Sequence, residues 1–255
     1  MSLLKINNLT QRFGGLKAVT DFNLTLKGRE LMALIGPNGA GKTTLFNLVS
    51  GFYTPSMGEI LVDGQNIRGF KPHKVTALGV GRTFQNIRLW YDMSVLDNIR
   101  VSQHYRMGYG FLDCVLRTAR YRRQELEIEK FAWELLEAMS LKAYAHELPK
   151  NLPYGLQRRV EIARAMSVKP KLLLLDEPAA GLNSADVDGL IELVRWLHSN
   201  FDITIWMIEH QMKVVMSLCS SIKVIDFGKT IAEGTPEEIQ NNPAVIKAYL
   251  GDDTL

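Results

Sequence analysis

Cysteine is scarce in this sequence, and its scarcity excludes several classes of protein. Only Cys114 and Cys219 occur in 255 residues, far apart and without the short spacing of metal-binding cysteines. This usage excludes a disulfide framework and a cysteine-based zinc site. We expect both thiols to be reduced and inert, as in a cytosolic compartment.

Long apolar runs are also missing. None approaches the ~18–20 residues that a membrane-spanning helix needs. The first residues, 1–6, lack a charged stretch followed by a long apolar one, so we expect neither a membrane span nor a signal peptide. At 255 residues and 46% apolar composition, the chain suffices for one large domain or two small ones.

The sequence also lacks a large net charge. The net charge of +3 is too small to indicate a nucleic-acid-binding protein. The one local concentration of basic residues comprises Arg117, Arg120, Arg122 and Arg123. This cluster is consistent with a solvated helix face, and the alternative is a surface near anionic lipid headgroups.

A glycine-rich stretch is the clearest positive signal. It matches the P-loop (Walker A) pattern G-x-x-x-x-G-K-[ST] and comprises Gly36, Pro37, Asn38, Gly39, Ala40, Gly41, Lys42 and Thr43, followed by Thr44. An apolar run precedes it and a helix-like run follows, which is the context that a P-loop needs. Backbone N–H groups of such a loop hold a triphosphate, Lys42 reaches the β- and γ-phosphates, and Thr43 places a hydroxyl on Mg²⁺.

The order of the remaining elements predicts an α/β protein with a helical insert. Residues 3–35 alternate as strands, whereas 92–168 are mostly helical, with Ser94 as a helix cap and a helix over 124–139. Residues 80–85 are predicted to form a strand that ends on Gln85. Later strands and helices include a helix capped by Asn183 and one that starts at Thr235.

A second stretch carries acids at the end of a buried strand. Four leucines, residues 172–175, precede Asp176 and Glu177, and such a continuous apolar run is typical of a parallel strand buried on both faces. Beside a P-loop, we expect Asp176 to hold Mg²⁺ through water. Glu177 would polarise the attacking water as general base.

The P-loop, Gln85, the Asp176-Glu177 pair and His210 occur in an order that resembles the ATP-binding subunits of ABC transporters. The resemblance implies a single ABC ATPase domain, with a RecA-like core and antiparallel β subdomain over 1–91 and 169–255 and a helical subdomain over about 92–168. It also implies a dimer that sandwiches two ATP molecules, with Mg²⁺.

The same resemblance implies roles for single residues. Phe13 resembles the aromatic that stacks on adenine, although the strand pattern alone fits core or edge packing equally well. Gln85 resembles the residue that contacts Mg²⁺ and links the site to the membrane partner. His210 resembles the switch residue that contacts the γ-phosphate, whereas a lone histidine at a strand end is more often structural.

One family motif departs from its usual form. The Leu-Ser-Gly-Gly-Gln signature, which contacts the opposing ATP in trans, is replaced here by Leu152, Pro153, Tyr154, Gly155 and Leu156, followed by Gln157. Pro153 offers neither an N–H nor a hydroxyl, whereas Gly155 still offers a backbone N–H. Asn183 also stands where the family more often has Asp. We therefore expect two unequal ATP sites.

Several stretches resemble the branched-chain amino acid uptake family within this group, among them residues 82–85, 152–155, 176–183 and 233–239. That resemblance implies a second, different ATP-binding subunit, two membrane permeases and, indirectly, a periplasmic substrate-binding protein, with this chain peripheral on the cytoplasmic face of the bacterial inner membrane. Leu89, Trp90 and Tyr91 would then face a permease coupling helix, unless Trp90 and Tyr91 are core residues of the insert.

Other functions remain as alternatives at this stage. Related ABC systems take up amides or urea or export lipopolysaccharide. A soluble ABC ATPase is disfavoured because the sequence lacks coiled coils, zinc cysteines and a second ATPase unit. A P-loop kinase or GTPase is disfavoured by the Asp176-Glu177 pair and by the absence of an Asn-Lys-x-Asp motif.

Overall fold

A computed structural model describes residues 2–250 of the chain, except the side chain of Leu250. The chain divides into two compact units. The first unit comprises residues up to Gln85 and from Lys171 onwards, and the second comprises Asn86–Pro170. The predicted helical segment 92–168 lies within the second unit.

The strands, numbered in chain order, all belong to the first unit. In the described residues they are β1 (Ser2–Phe13), β2 (Leu16–Lys27), β3 (Leu31–Ile35), β4 (Met57–Val62), β5 (Gln65–Asn66), β6 (Val80–Arg82), β7 (Leu172–Asp176), β8 (Thr204–Ile208), β9 (Ser221–Asp226) and β10 (Lys229–Gly234).

The helices, numbered in the same way, are shared between the units. Those of the first unit are α1 (Lys42–Val49), α2 (Pro72–Ala77), α7 (Ser184–Asn200), α8 (Met212–Leu218), α9 (Pro236–Gln240) and α10 (Pro243–Leu250). Those of the second unit are α3 (Val95–Ser102), α4 (Phe111–Leu116), α5 (Ala119–Ala138) and α6 (Tyr154–Ser167).

The first unit contains an antiparallel sheet in the order β2-β1-β4-β5. Alternating apolar residues of its strands face the core, so that Leu4, Ile6, Phe22 and Leu24 are almost fully buried while their neighbours are not. This sheet is the β-rich opening that the alternating pattern predicts.

The second sheet positions the functional residues. Its order is β10-β9-β3-β8-β7-β6, with parallel pairing from β9 through β6 and an antiparallel edge strand β10. Strands β3, β7 and β8 are buried at every position, as their unbroken apolar sequences predict. Since the carboxyl ends of parallel strands share one sheet edge, the segments after β3, β6, β7 and β8 meet there. The α/β class with an antiparallel subdomain is confirmed.

Two predicted boundaries are wrong. The strand predicted over 80–85 ends at Arg82, because the Thr83 hydroxyl, rather than a backbone carbonyl, accepts the N–H of Asp176 at 3.2 Å. The chain then leaves the sheet before Gln85. The helix predicted over 124–139 begins earlier, at Ala119, because the Thr118 hydroxyl caps it by accepting from the Tyr121 N–H.

The predicted helix caps are confirmed. Ser94 accepts from the Asp97 N–H, and Asn183 accepts from the Asp186 N–H. Thr235 and Glu238 form a capping box at the start of α9, with proline in the first turn.

Candidate nucleotide-binding site

The P-loop joins β3 to α1 in a tight turn that only glycine accommodates at two positions. Gly36 has φ 154° and Gly41 has φ 104°. A Cβ on Gly36 would collide with the carbonyl oxygen of Ile225, and one on Gly41 with that of Ala18. The loop is therefore packed against neighbouring backbone, and this packing fixes its shape.

Lys42, the first residue of α1, points back over the loop. Its Nζ donates to the carbonyl oxygens of Gly36 at 2.6 Å and Pro37 at 2.9 Å. Burial lowers the pKa of Lys42, while the negative charges of Glu177 and Asp176 oppose that shift. The ammonium group thus binds the loop and is close enough to both predicted acids to interact with them electrostatically.

Asp176, at the end of β7, is held by a buried arginine. Its Oδ2 accepts from Arg82 Nη2 at 2.9 Å, and both side chains are less than 10% exposed. Arg82 Nη1 also donates to Asn47 Oδ1 at 2.8 Å and to Ser50 Oγ at 3.1 Å, both from α1 or its end. The guanidinium therefore ties the strand-end acid to the helix that follows the P-loop.

Aromatic rings surround the Arg82 guanidinium. Its Cζ lies 4.9 Å from the ring centroid of Phe84, 5.6 Å from that of Phe46 and 5.7 Å from that of Phe52. Rings in this position stabilise a desolvated cation. Sequence analysis did not assign a role to Arg82. The available signal was an arginine at the end of a short strand, three residues before Gln85.

The three residues predicted to act in hydrolysis lie together. Gln85 Nε2 donates to Glu177 Oε2 at 3.0 Å, and His210 Nδ1 lies 3.7 Å from the same oxygen. Glu177 has φ 46°, a left-handed conformation unusual outside glycine, and its N–H donates to the Ile208 carbonyl at 2.9 Å. The backbone therefore turns sharply after β7 and directs Glu177 away from the buried strand.

Glu209 is a second residue that sequence analysis missed. It is fully buried, and its Oε1 accepts from the Ala179 N–H at 2.8 Å. Its Oε2 accepts from the N–H groups of His210 and Gln211 at 2.9 and 3.0 Å. The carboxylate thus joins the loop that carries His210 to the loop after Glu177. The sequence feature that could have indicated Glu209 is an acid directly after an apolar run, the same pattern as at Asp176.

A cavity of about 440 Å³ opens beside these residues. The P-loop from Asn38 to Thr44 lines it together with Phe13, Lys17, Gln85, Glu177 and Phe227. Phe13 is 43% exposed and meets Tyr53 edge-to-face at 5.3 Å between ring centroids. It lies at the rim of the cavity and not in the core. The size and the ring of polar groups suit a mononucleotide.

The residues of the altered signature lie in the second unit. Helix α6 begins at Tyr154, with Pro153 as its N-cap residue and no side-chain cap. Gln157 Nε2 donates to the Leu152 carbonyl at 2.9 Å. Gly155 lies in the first helical turn, where N–H groups have no partner within the helix. A hydroxyl-free loop thus leads into a helix N-terminus with backbone donors.

The segment after Gln85 presents aromatic residues to solvent. Trp90 is 44% exposed and Tyr91 41%, so their interpretation as core residues is wrong, whereas Leu89 is buried. Asn98 holds the segment by accepting from the Trp90 N–H and donating to the Trp90 carbonyl, both at 2.9 Å. The Arg164 guanidinium lies 4.7 Å from the Trp90 ring centroid.

Comparisons with known proteins agree with this geometry. The family model described as "ABC transporter" matches residues 19–180, and the one described as "Branched-chain amino acid ATP-binding cassette transporter" matches residues 229–254. The chain is 47% identical to the high-affinity branched-chain amino acid transport ATP-binding protein BraF of Pseudomonas aeruginosa, over 98% of both chains. It is 46% identical to LivG of Escherichia coli K12, a protein of the same description, again over 98% of both.

A solved structure shows the same fold. The crystal structure of a nucleotide-free ATP-binding cassette from an ABC transporter superposes with a TM-score of 0.85 at 29% identity, covering 99% of this chain and all of that one. The chain belongs to the ABC transporter family, as an ATP-binding subunit of the branched-chain amino acid type. Among residues 2–250, no helix combines the length and apolarity needed to cross a bilayer.

Proposed function

We propose that this chain is the ATP-hydrolysing subunit of an importer for branched-chain amino acids. The observation that carries the proposal is the convergence of Gln85, Glu177 and His210 on one point at the rim of the P-loop cavity. Family membership along the whole chain supplies the transport context.

In this mechanism the chain's own groups bind the nucleotide and prepare water for attack. Backbone N–H groups of the P-loop and the N-terminus of α1 hold the phosphates, and Lys42 exchanges its two loop carbonyls for phosphate oxygens. Phe13 stacks on the base at the cavity rim. Glu177 accepts a proton from the attacking water, while His210 donates to the γ-phosphate and orients that water.

The residues present fit a magnesium ion. Mg²⁺ prefers oxygen ligands and few protein groups, and the Thr43 hydroxyl, the Gln85 amide oxygen and Asp176 supply such oxygens around the phosphate site. When bound, Mg²⁺ neutralises charge on the β- and γ-phosphates. Because Arg82 already pairs with Asp176, we expect Asp176 to act through a metal-bound water rather than as a direct ligand.

The altered signature supports a pair of unequal ATP sites. Residues Leu152–Gln157 would face the ATP of a second, different ATP-binding subunit, and Gly155 would offer its N–H there while Pro153 offers nothing. The site of this chain, with Glu177 and His210 intact, would be completed by the partner's signature.

The proposed assembly includes two permeases, indirectly a periplasmic binding protein, and a peripheral position on the cytoplasmic face of the inner membrane. The exposed Trp90 and Tyr91 support a docking role, because large aromatic side chains at a surface favour protein contacts. Asn98 and Arg164 anchor the segment within the second unit, so both side chains have a defined position for such a contact.

The test is reconstitution in vesicles of the chain with the permeases, the second ATPase subunit and the binding protein that neighbouring genes encode. We expect ATP-dependent uptake of leucine, isoleucine and valine, and its loss in Glu177→Gln. Uptake of urea or short amides instead would reassign the substrate. Recovery of the chain with lipopolysaccharide-export components and no uptake would contradict import.

A further inference from the structure

Residues 104–124, here called the arginine-rich segment, carry an excess of positive charge that is larger than the net charge of the whole chain. The segment contains five arginines, one aspartate and no lysine or glutamate, a formal charge of +4. The whole chain has +3, so the remainder is slightly negative. The positive charge is therefore local, and the segment plays no part in the nucleotide site.

Helix α4, within this segment, exposes a row of large apolar side chains. Phe111 is 81% exposed, Leu112 72%, Val115 63% and Leu116 72%. At these spacings the four side chains lie on one side of the helix. Isolated exposed apolar residues are ordinary, but four adjacent ones on one helix indicate a surface that meets an apolar medium or partner.

The helix is held in this position by its own unit. Asp113 accepts from the Gly110 N–H at 3.0 Å and from the Thr118 hydroxyl at 2.9 Å, fixing both ends of α4. Tyr109 donates to Glu125 Oε1 at 2.5 Å and packs edge-to-face on Tyr121. The apolar face is therefore exposed on a helix whose position these contacts fix.

Three of the four arginines that follow α4 make no ion pair in the described part of the chain. In residues 2–250, Arg117, Arg120 and Arg122 make no ion pair, and Arg123 pairs with Glu127 at 3.8 Å with both side chains more than two-thirds exposed. The single acid of the segment, Asp113, is engaged within the α4 turn. This positive charge therefore remains available to an external anionic surface.

We propose that the arginine-rich segment docks on the anionic lipid surface of the membrane, with the apolar face of α4 in the interface. Apolar side chains of α4 enter the boundary between headgroups and acyl chains, while the arginines reach lipid phosphates with their long side chains. A bilayer fits better than a protein groove because it offers hydrocarbon and diffuse negative charge together, as this segment requires. The proposal does not depend on the transported solute.

The test measures binding of the purified full chain, without permeases, to protein-free vesicles. Vesicles of phosphatidylcholine alone are compared with vesicles that contain about 30% phosphatidylglycerol, by co-sedimentation at low salt and at about 0.5 M salt. We expect binding to the anionic vesicles only, and its loss at high salt. Equal binding to both vesicle types, or none to either, would overturn the proposal.

Matched variants assign the binding to the segment. Arg122→Gln/Arg123→Gln should weaken binding roughly 10–30-fold, since each arginine near an anionic surface contributes about fivefold. Phe111→Ser/Leu116→Ser should weaken it at least as much. Lys5→Gln/Arg68→Gln removes the same charge elsewhere on the surface, and Met57→Ser removes an exposed apolar residue from β4; both should bind like the parent. Equal losses in the controls and the segment variants would contradict the assignment.

A fluorescence measurement reports the contact directly. Cys114 lies on α4 and is exposed, whereas Cys219 is buried, so a thiol-reactive environment-sensitive dye labels Cys114. We expect a blue shift of its emission with anionic vesicles and none for the same dye on Arg68→Cys in a Cys114→Ser background. A shift that appears only when the permease pair is present would identify a protein partner and overturn the lipid assignment.

Discussion

The carboxyl ends of β7 and β8 carry the same arrangement of residues but differ in the groups that hold the buried acid. A buried acid stands at the carboxyl end of each strand, Asp176 as the last residue of β7 and Glu209 directly after β8. The next residue is Glu177, which lines the cavity, or His210, which lies 3.7 Å from Glu177. At β7 the buried acid is held by a guanidinium, and at β8 by three backbone N–H groups. In the proposed mechanism, the buried acid of each pair positions its loop, and the residue after it acts on the nucleotide or on water.

The difference has a physical consequence. An ion pair such as Arg82–Asp176 holds two buried charges together, and removal of one takes away the opposite charge that stabilises the other. A carboxylate that accepts from amides, such as Glu209, instead fixes the path of the backbone on both sides of the site. We therefore expect loss of the Arg82–Asp176 pair to reduce the free energy of unfolding more than loss of the Glu209 carboxylate.

The largest effect is expected for Glu177→Gln, which removes the general base. ATP turnover by the assembled transporter should fall about 10²–10⁴-fold, the usual contribution of a positioned acid or base. The dissociation constant for ATP should stay within about threefold, since the phosphate contacts come from the P-loop. Steady-state hydrolysis and nucleotide titration measure the two quantities. Turnover within a few-fold of the parent would contradict the role of Glu177.

Arg82→Met should destabilise the first unit strongly. It removes the guanidinium that pairs with the buried Asp176 carboxylate, and the free energy of unfolding should fall by about 3–5 kcal/mol in urea titration. Arg29→Met is the matched control, because Arg29 pairs with Asp202 at 4.0 Å on the exposed surface. Its effect should stay below about 1 kcal/mol. Similar losses of unfolding free energy for both variants would contradict a larger contribution from the buried pair.

Glu209→Gln should have a smaller effect on stability. Glutamine keeps one acceptor oxygen, but its NH2 group cannot accept from N–H, so at least one of the three backbone donors loses its partner, at about 1–3 kcal/mol of unfolding free energy. Hydrogen exchange should accelerate at one or more of Ala179, His210 and Gln211, because the amide that loses its acceptor loses protection. Unchanged exchange at all three amides would contradict the claim that Glu209 fixes this loop.

Thr83→Val should have the smallest effect. The substitution keeps the shape of the side chain but removes the acceptor for the buried Asp176 N–H. We expect a loss of about 1–2 kcal/mol in unfolding free energy and little change in ATP affinity. Thr83→Ser, which retains the hydroxyl, is the control and should recover most of the loss.

Sequence reasoning succeeded where a pattern maps directly onto geometry. The P-loop with its flanking runs predicted the order β3, loop and α1, and the four leucines before Asp176 predicted the buried parallel strand β7. Arg82 and Glu209 were not predicted, because their roles depend on which side chains and backbone donors the fold brings beside them. An arginine at a strand end carries no periodic signal, and neither does an acid that accepts from a loop 30 residues away.

The solvent exposure of individual side chains also could not be predicted from the sequence. Trp90 and Tyr91 fit a core or a surface equally well until the position of their segment was known. The arginine cluster likewise left two interpretations open. We propose the lipid surface because Phe111 and Leu116 are exposed close in sequence to arginines of which only Arg123 makes an ion pair within residues 2–250.

The most direct test compares Glu177→Gln and Glu209→Gln in one preparation, with both ATP turnover and urea unfolding measured for each variant. The account predicts opposite profiles. Glu177→Gln should lose at least about 100-fold in turnover with an unfolding free energy close to the parent's. Glu209→Gln should lose about 1–3 kcal/mol of stability with the smaller loss of turnover. If Glu209→Gln abolished turnover while Glu177→Gln preserved it, the assignment of acting and positioning residues would be wrong.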